Sequence, residues 1–249
     1  MEKETDDTAR SVSIIFEDED VCVVAKPSGM TTHKDGKRDE YTLADWFVEH
    51  YPDAQGVGEP LTLTNGTVID RPGIVHRLDK GTSGVLVLAR NQEAFTHLKA
   101  QFQDRLVEKE YRAFVWGRMK DDSGVIDKPI GRSRGDFRKR SAEFGAKPPL
   151  RDAETRYAVI ARGNEHTYLT LTPKTGRMHQ LRVHLKAVGN PIVCDGLYAP
   201  KKKSALGFER LALHASAITL TLPSGPQETF TAPLPKDFIE AERRIADIA

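Results

Sequence analysis

Apolar residues recur along this chain in short blocks, and their spacing shifts between two and three-to-four, which predicts the order of its elements. Residues 12–16 (VSIIF) and 21–25 (VCVVA) are β-rich runs, with Glu17-Asp18-Glu19-Asp20 between them as a hairpin turn. Lys26-Pro27-Ser28-Gly29 then ends the second run with turn chemistry. Leu43, Trp46 and Phe47 share one face of a helix predicted over 43–50, with Thr42 placed to cap it. Residues 52–73 are rich in Gly, Pro, Asp and Asn and read as one long loop, a kind of segment that tends to be functional or mobile. Residues 84–89 (GVLVLA) are nearly all apolar, the mark of a strand buried on both faces.

Further along, Asn91 is placed to cap a helix through 102, with Ala94, Phe95, Leu98 and Phe102 at helical spacing. A strand is predicted at 111–115, a basic loop follows, and 154–161 with 166–172 form a strand pair around Gly163-Asn164. Residues 178–188 read as a helix with Leu181, His184, Leu185 and Val188 in one stripe and Gly189 as its stop. Strands at 211–222 and 229–231 flank Pro223-Ser224-Gly225-Pro226, and a last helix runs from 236 to 245. Strands and helices mix without regular βαβ alternation, so the fold class is α+β with a large mixed sheet. With no repeat and no convincing linker, residues 11–249 are expected to be a single domain behind a disordered acidic tail, 1–10.

Composition adds little to that picture. A hydrophobic content of 39% and a charged content of 29% suit a soluble globular protein. No apolar run reaches the roughly 18 residues of a membrane span, and the acidic N-terminus does not suit a signal or transit peptide. The two cysteines, Cys22 and Cys194, lie far apart, which fits a reducing compartment and a cytoplasmic location. Nothing indicates an oligomer, so a monomer is expected. The net charge of +1 is uninformative, but its distribution is not. Eight acids crowd residues 1–20, whereas 128–151 holds eight bases (Lys128, Arg132, Arg134, Arg138, Lys139, Arg140, Lys147, Arg151) against Asp136 and Glu143. Lys201-Lys202-Lys203 is a second basic run. Such clusters suit a phosphate backbone, and equally a solvated loop.

Two constellations carry chemistry. His76-Arg77-Leu78-Asp79-Lys80-Gly81-Thr82-Ser83-Gly84 lies between the long loop and the buried strand, where a rigid scaffold presents functional groups. Arg77 and Lys80 flank Asp79 and would keep its carboxylate ionised, fit for a nucleophile or a general base. The plainer reading makes Asp79 a turn residue bonded to local amides. In the second, Arg177 and Arg182 stand at a helix start and one turn further in, within reach of a carboxylate or phosphate. His179 and His184 are spaced i,i+5, unlike the i,i+4 pair of a zinc helix, so no metal site is expected. There is no nucleophile elbow, P-loop or dinucleotide fingerprint, and no cofactor is indicated.

Five blocks, taken in order, add a resemblance. IIFEDEDVCVVAKPSGMTTH, HRLDKGTSGVLVLAR, KEYRAFVWG, TGRMHQLRVHLKAVGNPIVCDGLYA and RLALHA resemble the motif series of the RluA-like RNA pseudouridine synthases, from about Ile14 to Phe238. The resemblance implies a pseudouridine synthase fold, a large mixed, mostly antiparallel sheet flanked by helices and loops around a central cleft. It implies isomerisation of specific uridines in ribosomal or transfer RNA, without metal or cofactor. By it Asp79 is the catalytic aspartate, Arg77 the residue that displaces the uridine, Tyr111 the ring that stacks on the flipped base, and Arg182 the partner of the aspartate. Lys109 lines the same cleft, Arg177 and His76 join the substrate-binding set, and His184 is a supporting group.

Three departures stand out. Cys194 replaces the glycine usual before Asp195, Gly81 stands where an acidic or polar residue is common, and about 13 residues precede the first strand, too few for an N-terminal S4-type domain. Recognition would then rest on the catalytic domain, the basic stretch 128–151 and Lys201 to Lys203. Two other classes stay open: a catalytically silent RNA-binding protein on the same fold, and a carboxylate enzyme such as a glycosidase, which needs two opposed acids. Asp195 is the one candidate for a second acid and reads as structural.

Overall fold

The computed structural model describes residues 11–36, 39–63, 65–143 and 145–246, so the tail expected over 1–10 lies outside the described residues. The chain divides into two compact units. The first holds residues up to Val107 together with Ala215–Pro233, and the second holds Glu108–His214 and Leu234 onward.

In the first unit, β1 (Ser13–Glu17) and β2 (Val21–Lys26) form the expected antiparallel hairpin, and β2 pairs antiparallel with β5 (Ser83–Ala89). All seven residues of β5 are buried, as a continuous apolar run requires. Next to β5 runs β13 (Leu213–Thr221), whose part from Ala215 onward belongs to this unit, and β14 (Gln227–Thr231) pairs with it. The helices follow their caps. In α1 (Leu43–His50), Thr42 and Asp45 form a reciprocal capping box, and Leu43, Ala44, Trp46 and Phe47 are buried. In α2 (Gln92–Gln103), Asn91 accepts a hydrogen bond from the Ala94 amide. Gln101 then grips Thr221 with both ends of its amide, donating to the carbonyl at 2.7 Å and accepting from the N–H at 2.8 Å. The long loop is less irregular than its composition suggests. It contains a 3-10 turn (Pro52–Ala54) and a small hairpin of β3 (Leu61–Thr62) and β4 (Val68–Ile69).

The second unit has an antiparallel sheet in the order β6 (Glu108–Trp116), β12 (His166–Pro173), β11 (Glu154–Arg162), β7 (Ser123–Asp127). Phe114 and Tyr168, stacked at 4.2 Å, centre its core with Phe208. Helix α4 (Lys236–Ala246) adds Phe238, Ala241 and Ile245, a spacing that puts all three on one face. Two expectations are corrected. The basic stretch is not a loop but a second sheet, in the order β10 (Ala146–Arg151), β8 (Ile130–Ser133), β9 (Arg140–Ser141). The helix expected from 178 starts later, as α3 (Gln180–Ala187), because His179 before it has a left-handed φ of 58°. Both units are α+β, and their strands are mostly antiparallel.

Gly84, the second residue of β5, has a φ of +120°, and a Cβ there would lie 2.1 Å from the Ala215 carbonyl oxygen. Gly84→Ala therefore meets both an unfavourable backbone conformation and a main-chain collision. It should lower stability by at least about 3 kcal/mol in urea unfolding.

Candidate active site

The segment bearing Asp79 is held by main-chain bonds from the turn that follows β2. Ser28 Oγ donates to Gly81 O at 2.8 Å, and the Gly29 amide donates to Lys80 O at 2.8 Å. Thr32 Oγ1 both donates to Leu78 O at 3.0 Å and accepts from the Leu78 amide at 3.3 Å. The turn itself closes on Lys26, 1% exposed, whose Nζ donates to Pro27 O and Met30 O, each at 2.8 Å. Buried Leu78 anchors the segment from below, Asp79 is half-buried, and the Thr82 amide donates to Asp79 O at 2.9 Å. Thus the backbone on either side of Asp79 is fixed by bonds from another segment of the chain.

The neighbours of Asp79 are engaged in different ways. Lys80, expected to support the carboxylate, is paired by its ammonium with Glu40. Arg77 is exposed. His76 Nε2 accepts from the Val87 amide at 2.9 Å while its ring stacks on Phe102 at 4.6 Å, so it braces β5. Burial lowers the pKa of His33; the bond from its Nδ1 to Lys34 O opposes this, and the positive charge of Arg77 adds a smaller push downward.

In the second unit, Lys109 and Tyr111 stand two residues apart on β6 and so share one face. Both are half-buried, and Tyr111 packs against the core. Burial holds the Lys109 pKa below the usual lysine range, and Lys174 adds to the effect. Arg182, on α3, makes a bidentate pair with Asp195, at 2.8 Å from Nε and 2.8 Å from the terminal nitrogen. The Asp195 carboxylate has no exposed surface, and its Oδ1 also accepts from the amides of Leu197 and Tyr198, each at 3.0 Å. The Tyr198 ring lies 5.0 Å from the Arg182 guanidinium, and its hydroxyl accepts from the Arg140 amide and meets His179 Nδ1, both at 2.9 Å. Asp195 thus fixes the orientation of the Arg182 guanidinium. Sequence reasoning missed the Tyr198 and His179 contacts. The one local signal was Asp195 followed by Gly196, the composition of a side-chain-capped turn.

The other expected residues are placed as follows. Arg177 lies ahead of α3, and its Nε donates to Asp152 O at 3.0 Å. His184 is fully buried, with Nδ1 at 2.9 Å from Thr155 Oγ1 and Nε2 at 2.9 Å from Lys128 O. Since a carbonyl can only accept, Nε2 carries the proton and Nδ1 accepts from the hydroxyl. Cys194 adopts a φ of 56°, the left-handed region where glycine meets no Cβ clash, and its thiol donates to Phe208 O at 3.1 Å. In the first unit a cavity of about 730 Å³ holds none of the expected site residues. Asp39, Asp45, Glu49 and Asp70 line it against Lys34, a balance of charge that disfavours a polyanion.

A family model described as "RNA pseudouridylate synthase" matches residues 20–187. "Uncharacterized RNA pseudouridine synthase YlyB" of Bacillus subtilis is 37% identical over 230 residues, which cover 92% of this chain and 71% of that protein. The chain belongs to the RNA pseudouridylate synthase family. A second relative, "Ribosomal large subunit pseudouridine synthase D" of Pseudomonas aeruginosa, is 36% identical over 240 residues, covering 92% of this chain and 70% of its own. Among solved structures, "Human RNA Pseudouridylate Synthase Domain Containing 4" superposes with a TM-score of 0.72 at 26% identity, over 94% of this chain and 93% of that one.

As a pseudouridine synthase, the chain is an isomerase that converts uridine in RNA to pseudouridine. The matched segment contains Asp79, Tyr111, Arg182 and the residues around them, whereas Asp195 and Tyr198, which hold Arg182, lie beyond its end. Among the described residues no helix is long and apolar enough to cross a membrane.

Two outcomes follow for the second unit. Asp195→Ala removes the fully buried carboxylate that pairs with the Arg182 side chain, itself 12% exposed, and should cost about 3–5 kcal/mol in urea unfolding. Burial lowers the His184 pKa, so below its unfolded value near 6.5 the unfolded chain binds the extra proton. The stability contributed by neutral His184 is therefore complete above about pH 6.5 and is lost as the pH falls toward the folded pKa. Unfolding free energies measured between pH 7 and 5 should fall, and His184→Gln should remove up to about 1.4 kcal/mol per pH unit of that slope.

Proposed function

We propose that this pseudouridine synthase acts on ribosomal RNA, with transfer RNA the next class to test, and that Asp79 is its catalytic carboxylate. The observation that supports the reading is the brace on the main chain of Leu78 and Lys80, which hold half-buried Asp79 between them in the HRLD motif. A residue that must meet a flexible polymer at a set angle needs such support. The name of the Pseudomonas relative favours ribosomal RNA.

The reaction breaks the bond between ribose C1′ and uracil N1, turns the base, and rejoins it through C5. The C5 proton leaves and N1 gains one, so the reaction balances without electrons. Asp79 serves by attack on C1′, by attack on the pyrimidine, or by taking the ribose 2′ proton. In each route the carboxylate must be ionised, the role assigned to Arg182. Tyr111 holds the freed base and relays the C5 proton. Arg77 takes the place of the uridine as it leaves the stack, a displacement that costs a few kcal/mol. Lys109, Arg177 and His76 complete the substrate-binding set. Lys109 is half-buried on β6, so part of the desolvation that phosphate binding requires is already made.

The test is to incubate the purified chain with ribosomal and transfer RNA from a strain lacking its gene. Pseudouridine is then mapped by carbodiimide-dependent reverse-transcription stops. Wild type should restore a discrete site, and Asp79→Ala and Asp79→Asn should each reduce the rate by at least about 10³-fold. Restoration by Asp79→Ala at the wild-type rate would refute the assignment and favour a silent RNA-binding protein.

A further inference from the structure

The assigned catalytic roles leave the β8–β9–β10 sheet unexplained. Arg132 on β8 stands opposite Arg140 of β9 on one side and Lys147 of β10 on the other. Residues directly opposite on antiparallel strands share a face with Cβ atoms about 5 Å apart, so the three cations form a row. Among the described residues none of the three takes part in an ion pair. Like charges in this register oppose folding. An anion laid along the row would remove that opposition.

Beyond the row, the β8–β9 hairpin ends in a tight turn. The Lys139 amide donates to Asp136 O at 3.0 Å, and the Arg138 amide donates to Asp136 Oδ1 at 3.0 Å. The Arg138 guanidinium folds back on the same carboxylate, with Nε at 3.0 Å and a terminal nitrogen at 2.8 Å. These bonds hold the turn and leave Phe137 at its second position, 81% exposed, the highest value among the large hydrophobic residues described. The ring gains nothing from burial within this chain. An aromatic face on a stiff turn beside a row of unpaired cations matches what a single nucleic-acid strand offers, a base face flanked by phosphates.

We propose that the Phe137 turn and the Arg132–Arg140–Lys147 row form a docking surface for an unpaired stretch of the substrate RNA. One splayed base stacks on Phe137, and the phosphates beside it lie along the row. This rests on the RNA substrate of the previous section and adds a requirement, since bases inside a duplex present no free face to stack on.

The test uses the full chain and two labelled probes, an oligouridine of about 12 nucleotides and a blunt RNA duplex of equal length. Phe137→Ala should weaken oligouridine binding about 10-fold and leave duplex binding unchanged, and Phe137→Trp should restore it. Arg132→Gln combined with Lys147→Gln should weaken both probes. On oligouridine it should also flatten the plot of log affinity against log salt by about 1.4, two phosphate contacts at about 0.7 each. Pseudouridine formation on cellular RNA is assayed in parallel with the same preparations. An active wild type whose Phe137→Ala variant binds oligouridine equally well overturns the docking surface alone and points to a different occupant, such as a protein. A wild type that isomerises no RNA overturns the reading on which the proposal rests.

Discussion

A carboxylate without solvent needs donors in place of water, and Asp195 shows how much structure that demand organises. Its oxygens take two donors from Arg182 and two from the amides of Leu197 and Tyr198. Just before those amides the chain turns at Cys194 with a positive φ. Before α3, His179 also has a positive φ, and its ring reaches the Tyr198 hydroxyl. That same hydroxyl receives the Arg140 amide, so the basic sheet is tied to the pair as well. A buried ion pair is weak support for stability, because desolvation consumes most of the attraction. It is strong support for one orientation of Arg182, since any other leaves a charge unanswered.

In the first unit, hydrogen bonds to the main chain do much of the positioning. Asp79 is held through the main chain, by Ser28, Gly29 and Thr32 acting on its neighbours. The brace in turn depends on Lys26, whose buried ammonium gathers the carbonyls of Pro27 and Met30. The difference suits the roles proposed for the two residues. A guanidinium that only lends charge can be fixed through its own nitrogens.

Much of this was legible because the signals were local. Strand β5 showed itself as an apolar run, and Thr42 and Asn91 marked the starts of α1 and α2 because cap and periodicity agree within one turn. Other elements lacked such a signal. The apolar stripe of α3 continues back to Met178, and nothing in the pattern announces the positive φ of His179. Strand β7 buries only Ile126, and β10 has no fully buried residue, so neither shows the alternation that marks a strand. The HRLD segment stood out as a constellation, but its meaning came from resemblance. That Arg182 faces Asp195, 13 positions away, depends on a turn no periodicity encodes.

Net charge is a poor guide to the partner of such a chain. Charges separated by more than about 8–10 Å of salt solution scarcely feel each other, so a polyanion responds to patches and not to the total of +1. The patches here are segregated by unit. Carboxylates line the cavity of the first, while the second places Arg132, Arg140 and Lys147 in one row. In a loop, eight bases over 24 residues would spread apart and relax their repulsion. Strand pairing denies that freedom to Arg132, Arg140 and Lys147 and sets their spacing by the sheet. The surface is therefore already arranged for a charged backbone before one arrives. The repulsion it stores in the free protein is released when phosphates replace water along the row.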